Sequence, residues 1–240
     1  MYVIQVEGNI GVGKSTLIKS LNTKLSNWKN KNIKLLKEPL EYWTNVGGTN
    51  ILELYYKDKK KYAELFQNFV FMTLLREHLS SNFNNNNCDI IITERCLATG
   101  VHCFAKMLLN QKYVSPLFYD ILDDCLKKFR DVTLKPDIIV YIKIEDNDIR
   151  TLLRERIEKR KRKEEMNNID INYLLKLNDV YNKYIENIST QYDNKVKVIT
   201  YPIIRTKEEE NQCINQIINK LDKLEEEKEE EEEKINRRCC

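Results

Sequence analysis

The glycine-rich segment GNIGVGKST, from Gly8 to Thr16, constrains this chain more than any other stretch. It follows the β-branched run YVIQVE and leads into the amphipathic run TLIKSLNTKL. The spacing Gly-x-x-x-x-Gly-Lys-Ser between a strand and a helix is that of a phosphate-binding P-loop. Its glycines permit a tight turn whose amide groups surround a phosphate, and the start of the helix adds partial positive charge. The sequence therefore predicts a nucleotide-binding protein.

The same loop suggests roles for its individual residues. Lys14 is expected to reach the β- and γ-phosphates of ATP, and the Ser15 hydroxyl to ligate Mg²⁺. Because the backbone of the loop would enclose the phosphates, its remaining residues are also expected to contact ATP. These residues are Gly8, Asn9, Ile10, Gly11, Val12, Gly13 and Thr16.

Five short β-rich segments alternate with segments whose apolar residues recur at helical spacing. The predicted strands cover residues 2–6, 33–36, 90–93, 138–144 and 196–201. The predicted helices cover residues 62–79, 97–109, 115–129 and 173–188. Nearly continuous apolar strands that alternate with helices are typical of a parallel sheet covered on both faces. We therefore expect an α/β fold with a five-stranded parallel sheet flanked by helices.

Composition narrows the class of protein. A chain of 240 residues is long enough for one domain with a sizeable core. No apolar run is long enough to span a membrane, and a strand that begins at residue 2 leaves no room for a signal peptide. The seven cysteines lack metal-ligand spacing and are expected to be reduced thiols of a cytoplasmic protein. With only two histidines, a histidine-based zinc site or catalytic triad is not expected.

The C-terminal end differs from the rest of the chain in its charge pattern. The run KEEEEEKINRRCC, residues 228–240, is highly charged and contains almost no apolar residues. Such a run is usually solvated rather than packed. We therefore expect one domain over residues 1–220 and a charged, flexible tail over residues 221–240.

Three charged side chains follow predicted strands. Glu38 comes after the second strand, in KEPLEYW, and Glu94 and Arg95 after the third, in TERC. The carboxyl ends of parallel strands share one edge of the sheet, where ligands bind. Glu38 could accept a proton from an attacking hydroxyl, and Glu94 could orient hydrated Mg²⁺ while Arg95 neutralises the moving phosphoryl group. A surface glutamate and a structural ion pair are the alternatives.

A basic segment, RTLLRERIEKRKRKEE, follows the fourth strand. Arg156 and Arg160 share one face of a helix, and Arg162 follows at its end. A phosphoryl-transfer site needs positive charge over the γ-phosphate, which a mobile lid over residues 156–168 could supply while it excludes water. We expect Arg156 and Arg160 to act in catalysis, and Arg160 and Arg162 to contact ATP. A solvated surface is the alternative.

These motifs together, GNIGVGKST, E-P-x-x-x-W, Y-Y-K-D with a downstream F-Q, E-R and R-x-x-x-R-x-R-x-E-E, resemble the deoxyribonucleoside kinase family. The resemblance extends in order from residue 2 to about residue 206. It implies transfer of the γ-phosphate of a nucleoside triphosphate to the 5′-hydroxyl of a deoxynucleoside. It also implies a P-loop kinase fold and a homodimer that packs through helices.

The resemblance also implies which residues bind the acceptor. Glu38 falls at the position of the general base, and Arg95 at that of the contact to the 5′ oxygen. Tyr56 and Glu165 match the residues that hold the 3′-hydroxyl, and Gln67 matches an amide that pairs with the base edge. The aromatic walls around the base correspond to Trp43, Phe66 and Phe104.

Departures from the family pattern bear on the choice of base. Val101 replaces a second arginine, and Tyr55 stands where a methionine is common. Deoxycytidine- and deoxyguanosine-preferring members place an arginine and an aspartate against the base, where this chain has Leu74 and Gly100. Together with Val70, these residues leave room for the methyl group of thymine. We therefore expect thymidine as a substrate, with other deoxynucleosides possible.

Two other functions are compatible with a P-loop. A thymidylate kinase also has an E-P after its second strand, but it needs further arginines near the acceptor phosphate. A non-catalytic nucleotide-binding protein would need neither Glu38 nor the lid arginines. A nucleic-acid partner is not expected, because the strands lack the basic and aromatic pattern of an RNA-binding sheet.

Overall fold

Five parallel strands form the centre of the computed structural model, which describes residues 1–26, 28–83, 88–153, 155–156, 169–188, 192 and 195–238. The strands are β1 (Tyr2–Gly8), β2 (Ile33–Leu36), β3 (Ile90–Glu94), β4 (Ile138–Lys143) and β5 (Lys197–Pro202). Their order in the sheet is β2-β3-β1-β4-β5. All neighbouring strands run parallel, so the predicted sheet is confirmed.

Helices connect these strands and cover the sheet. They are α1 (Lys14–Leu25), α2 (Leu40–Thr44), α3 (Ile51–Lys57), α4 (Lys59–Phe83), α5 (Leu97–Thr99), α6 (Lys106–Asn110), α7 (Pro116–Phe129), α8 (Asp146–Asp148), α9 (Ile171–Glu186) and α10 (Lys207–Arg238). The predicted helical segments 62–79 and 115–129 fall within or beside α4 and α7. The segment 173–188 coincides with most of α9.

Apolar spacing explains why these helices pack on the sheet. In α1, Leu17, Leu21 and Leu25 recur every four residues, and all are fully buried. Burial of each such side chain stabilises the fold by about 1.5–3 kcal/mol. Ser115 caps α7 by accepting from the Phe118 amide (3.2 Å), and Asp170 caps α9 by accepting from the Tyr173 amide (2.6 Å). Sequence-local caps therefore fix where these two helices begin.

The predicted helix at 97–109 is helical but not uniformly α-helical. A π-helical segment, Gly100–Ala105, separates α5 from α6. Such segments widen a helix by one residue per turn and are frequent at functional sites. Here Gly100 and Phe104, four residues apart within it, both face the cavity described below.

The acidic C-terminal segment continues the last helix. Helix α10 runs without a break through residue 220, and Leu221 and Leu224 are buried against the core. The Glu225 carboxylate forms ion pairs with Lys29 (2.7 Å) and Lys31 (3.1 Å), both of which follow α1. The division into a domain and a tail at residue 220 therefore stays a prediction, and it does not coincide with a helix end.

No helix among the described residues is both long and apolar enough to cross a membrane.

Gly8 ends β1 in a conformation that side chains rarely adopt, with a φ of +141°. A Cβ atom there would lie 2.8 Å from the Ile142 carbonyl oxygen. We expect Gly8→Ala to lower the free energy of unfolding by about 2 kcal/mol or more, because both strain and a backbone clash result. Urea denaturation followed by circular dichroism measures this change.

Gly100→Ala is the matched control for that substitution. Gly100 is helical, with a φ of −55°, and an added Cβ atom would meet nothing within 4 Å. Since alanine favours helix over glycine by about 0.5–1 kcal/mol, the control should keep or slightly raise stability. Equal losses in both variants would contradict the proposed cause.

Candidate active site

The P-loop turns through three glycines with positive φ. Gly11 has a φ of +87° and Gly13, the cap of α1, a φ of +106°. The Gly13 carbonyl accepts from the amides of Thr16 and Leu17, each at 3.0 Å. The Asn9 side chain braces the loop, since its amide donates to the Leu174 carbonyl of α9 (2.8 Å). Hydrogen bonds at the start of α1 and a hydrogen bond to α9 therefore both hold the conformation of the loop.

Lys14 is buried within this loop, although it is charged. Its Nζ donates to the carbonyl oxygens of Gly8 (3.1 Å) and Asn9 (3.0 Å). Burial, together with the charge of Arg95, lowers the Lys14 pKa to about 8. A buried cation at the start of a helix can neutralise the charge of a bound phosphate.

Ser15 and Glu94 meet at the end of β3. The Ser15 hydroxyl donates to a Glu94 carboxylate oxygen at 3.1 Å. The two residues are 79 positions apart and are brought together because α1 packs against β3. Hydroxyl and carboxylate oxygens are ligands that Mg²⁺ accepts, usually together with phosphate oxygens and water. The donor set therefore fits the predicted magnesium site.

Glu38 and Arg95 form a buried ion pair between the ends of β2 and β3. The backbone of Arg95 lies in the left-handed region, with a φ of +65°, which is rare for residues other than glycine. Its Nε donates to the Tyr181 hydroxyl at 3.1 Å, and its guanidinium lies 4.8 Å from the Phe104 ring centre. The guanidinium is therefore oriented on three sides, by a carboxylate, a phenol and an aromatic ring.

A cavity of about 300 Å³ opens beside this ion pair. Every residue that was predicted to bind the phosphate acceptor, and that the structure describes, lines this cavity. These are Glu38, Trp43, Tyr56, Phe66, Gln67, Val70, Leu74, Arg95, Gly100 and Phe104. Lys14, Ser15 and Glu94 of the phosphate and metal sites line the same cavity. One space therefore joins the predicted phosphate, metal and acceptor sites.

Aromatic rings form part of the wall of this cavity. Trp43 meets Phe66 edge to face at 5.8 Å, and its indole donates to the Thr73 hydroxyl at 2.9 Å. Tyr55 stacks on Phe66 at 4.7 Å, and its hydroxyl lies 3.1 Å from that of Tyr173. These contacts fix the ring orientations, so the cavity is largely preformed.

A second cleft, of about 450 Å³, lies on the other side of the P-loop. Gly11, Gly13 and Thr16 line it together with Arg156, whose guanidinium donates to the carbonyls of Val12 (3.0 Å) and Ile204 (2.7 Å). The predicted lid residues Arg160, Arg162 and Glu165 lie outside the described residues. Of the three lid arginines, Arg156 is thus the one whose contact with the P-loop can be described.

Both cavities are also lined by residues that the sequence motifs did not indicate. Arg205, Thr206 and Lys207 line the cleft beside the P-loop, directly after β5. Their position beyond a strand's carboxyl end is the signal that would have identified them. Cys96 lines the acceptor cavity, and burial raises its pKa to about 12, so its thiol stays neutral. This cysteine therefore contributes shape rather than charge.

Glu7 is the most deeply buried acidic residue near the site, with no exposed surface. Its carboxylate accepts from Gln5 (2.8 Å), Thr99 (3.1 Å) and Tyr181 (3.2 Å). Burial raises the Glu7 pKa to about 7, although the cations of Arg95 and Lys14 oppose this shift. An acidic residue in a central strand that is otherwise uncharged is a sequence signal for this position.

The raised pKa of Glu7 makes stability depend on pH. Between about pH 4.5 and pH 7 the folded protein keeps a proton on Glu7 that the unfolded chain releases, so stability falls as pH rises. Glu7→Gln removes this dependence and should gain stability relative to the wild type between pH 5 and pH 8. Urea denaturation at both pH values measures the difference. Glu41→Gln, at an exposed glutamate, is the control, and parallel wild-type and Glu7→Gln curves would contradict the assignment.

Comparison with known proteins gives a family for this arrangement. The family model described as deoxynucleoside kinase matches residues 4–235. The chain is 32% identical to a fowlpox virus protein named "Probable deoxycytidine kinase FPV151", over 82% of this chain and 76% of that protein. It is 27% identical to the mitochondrial deoxyguanosine kinase of Xenopus laevis, over 78% of this chain and 74% of that enzyme. It is 26% identical to human mitochondrial thymidine kinase 2, over 76% and 64%.

The match begins in β1, ends in α10 and includes the described residues of both cavities. Kinases of this family are transferases, which agrees with a phosphate-binding loop that opens into an acceptor cavity. The chain therefore belongs to the deoxynucleoside kinase family.

Proposed function

We propose that this protein transfers the γ-phosphoryl group of ATP to the 5′-hydroxyl of a deoxyribonucleoside. The observation that carries the proposal is the buried pair of Glu38 and Arg95 in a cavity that Lys14 also lines. A carboxylate and a guanidinium thereby line the same aromatic cavity as the lysine of the phosphate-binding loop. These are the groups that phosphoryl transfer to an alcohol requires.

In the proposed reaction, Glu38 accepts the proton of the 5′-hydroxyl as its oxygen bonds to the γ-phosphorus. The bond between that phosphorus and the bridging oxygen breaks, and ADP leaves with the electron pair. Arg95 donates to the acceptor oxygen or to the transferring group, while Lys14 balances the charge on the phosphates. Because both cations are fixed before the substrate binds, little reorganisation is needed during transfer.

Magnesium fits the proposed site through the oxygens of Ser15 and Glu94, which lie 3.1 Å apart. Bound Mg²⁺ would neutralise charge on the phosphates of ATP. The Ser15 hydroxyl is the candidate ligand, and the Glu94 carboxylate would hold coordinated water. Both side chains already face the cavity that contains Lys14.

Replacement of the proposed base tests the reaction directly. We expect Glu38→Gln to lower kcat by about 10²–10⁴-fold, since the amide cannot accept the proton. The affinity for ATP, measured by calorimetry, should stay within about threefold, because Glu38 lies on the acceptor side. A variant with wild-type turnover would refute the role of Glu38. A wild-type protein that binds ATP without any turnover would favour a non-catalytic nucleotide-binding protein.

The shape of the cavity favours thymidine among the acceptors. Gln67 is buried in the wall, and within the described residues no hydrogen bond engages its side-chain amide. This amide can pair with the edge of a pyrimidine through one donor and one acceptor. The space beside Gly100 is open, and Leu74 adds an apolar surface for a methyl group. Tyr55, whose bulky ring also lines the cavity, reduces the room for the larger purines.

A panel of acceptors tests this preference. The four deoxynucleosides and thymidylate are each incubated with Mg-ATP labelled at the γ-phosphate, and the labelled product is identified. We expect thymidine to be phosphorylated with the highest kcat/KM. The relatives named for deoxycytidine and deoxyguanosine make those two nucleosides the informative competitors. Label on thymidylate alone would favour a thymidylate kinase, and purine-only labelling would overturn the preference for thymidine.

We also propose a homodimer that packs through α4 and α7. These helices contact each other and expose large apolar side chains. The exposed residues are Leu65 and Met72 of α4 and Leu117 and Ile121 of α7. Burial of such side chains against a second copy would remove apolar surface from water. Sedimentation equilibrium measures the mass of the assembly.

The five described cysteines are free thiols, which supports a reducing compartment such as the cytoplasm.

A further inference from the structure

Glu7 occupies the end of the central strand, one residue before the P-loop. Its Oε1 accepts from the side chains of Gln5 and Thr99, and its Oε2 accepts from the Tyr181 hydroxyl at 3.2 Å. No surface of Glu7 is exposed, so substrates do not reach it. The carboxylate is therefore engaged at both oxygens but lies beneath the site and outside it.

Tyr181 links this buried carboxylate to Arg95. The phenol is fully buried, and burial raises its pKa well above the usual range, so its hydroxyl keeps its single proton. Because the Arg95 Nε–H donates to that hydroxyl at 3.1 Å, the oxygen must direct its own proton elsewhere. Glu7 is the acceptor that the geometry provides. The carboxylate thus sets the direction of the phenol.

The link continues from Arg95 to Glu38, its partner in the ion pair. Four side chains from β1, α9 and the ends of β3 and β2 therefore form one chain of hydrogen bonds. A guanidinium can rotate about its bonds, so a second fixed contact on Nε restricts how it faces Glu38 and the acceptor oxygen. Small displacements of such a group can lower turnover substantially.

We propose that Glu7 is a positioning residue for phosphoryl transfer, which acts through the Tyr181 hydroxyl to orient the Arg95 guanidinium. This inference rests on the proposed function, because it assigns Arg95 to the acceptor oxygen. It adds a residue that touches neither substrate. It also predicts that Glu7 and Tyr181 act as one unit.

Several other titratable groups surround the Glu7 carboxylate. Arg95 and Lys14 are the cations that face it. The charge of Glu7 also acts on neutral side chains of neighbouring elements, namely the buried Cys96, Cys103, Tyr141 and Tyr184 and the partly buried Tyr192. Because Lys14 is one of the two cations that face Glu7, a substitution of Glu7 could change the binding of ATP through Lys14 alone. The experiment must separate that route from the route through Tyr181.

A double-mutant cycle with Glu7→Gln and Tyr181→Phe makes this separation. We expect each variant to lower kcat for the deoxynucleoside about tenfold, with the KM for ATP unchanged within about twofold. The double variant should lose no more than either single variant, because both break the same link. Losses that multiply, or a loss in Glu7→Gln with a rise in the KM for ATP, would overturn the proposal.

Tyr141→Phe is the matched control. Tyr141 stacks against Tyr181 at 6.2 Å and is also buried, but its hydroxyl donates to Asn182 (2.7 Å) rather than contacting Arg95. It loses the same atom from the same region, so its kcat should stay at the wild-type value. A tenfold loss in this control would show that general packing, and not the link to Arg95, explains the result.

A measurement that does not depend on turnover distinguishes failure of the link between Glu7 and Arg95 from failure of the proposed kinase reaction. The ¹⁵N NMR signal of the Arg95 Nε–H group, assigned with Arg95→Lys, should shift in Glu7→Gln and in Tyr181→Phe but not in Tyr141→Phe. An inactive wild-type protein that shows these shifts would refute the kinase reaction and retain the link. An unchanged signal in Tyr181→Phe would refute the link, whatever the activity. If Glu7→Gln fails to fold, Glu7→Asp replaces it and is judged by the same criteria, because its carboxylate is one methylene shorter and withdraws from the Tyr181 hydroxyl.

Discussion

The buried ion pair between Glu38 and Arg95 is the interaction on which the rest of the site depends. Each charge would be costly to bury alone, and each is tolerated because the other lies beside it. The pair also joins the ends of β2 and β3, which converge at one edge of the sheet. Its geometry therefore depends on the register of the strands as well as on local side-chain packing.

Charges of both signs are concentrated in a small volume at this edge of the sheet. Lys14 and Arg95 face three carboxylates, those of Glu7, Glu38 and Glu94. The surrounding core is apolar, so these groups interact more strongly than they would in water. Such concentration of charge, together with the left-handed backbone of Arg95, costs stability and is typical of functional sites. The apolar helices and the buried strands offset that cost.

Much of the site could be predicted from short sequence motifs. The P-loop is a continuous segment whose glycine spacing and following helix encode its conformation directly. Glu38, Glu94 and Arg95 could be assigned to the same edge because parallel strands present their carboxyl ends together. The same rule applies to Arg205 to Lys207, which lie beyond the carboxyl end of β5. The predicted roles of Arg160 and Arg162 rest on the basic segment after the fourth strand as well as on family resemblance, whereas that of Glu165 rests on the resemblance alone.

Spacing along the chain encodes the alternation of strands and helices, the phosphate-binding loop and the charged residues that end the strands, so each of these can be recognised in the sequence. Which distant side chains meet depends instead on how the chain packs in three dimensions. Tyr181 contacts Glu7 across 174 positions and Arg95 across 86, and Tyr55 meets Tyr173 across 118. The helix around Gly100 widens into a π-segment where its residues face the cavity. These contacts depend on how helices pack on a sheet, which no local pattern specifies.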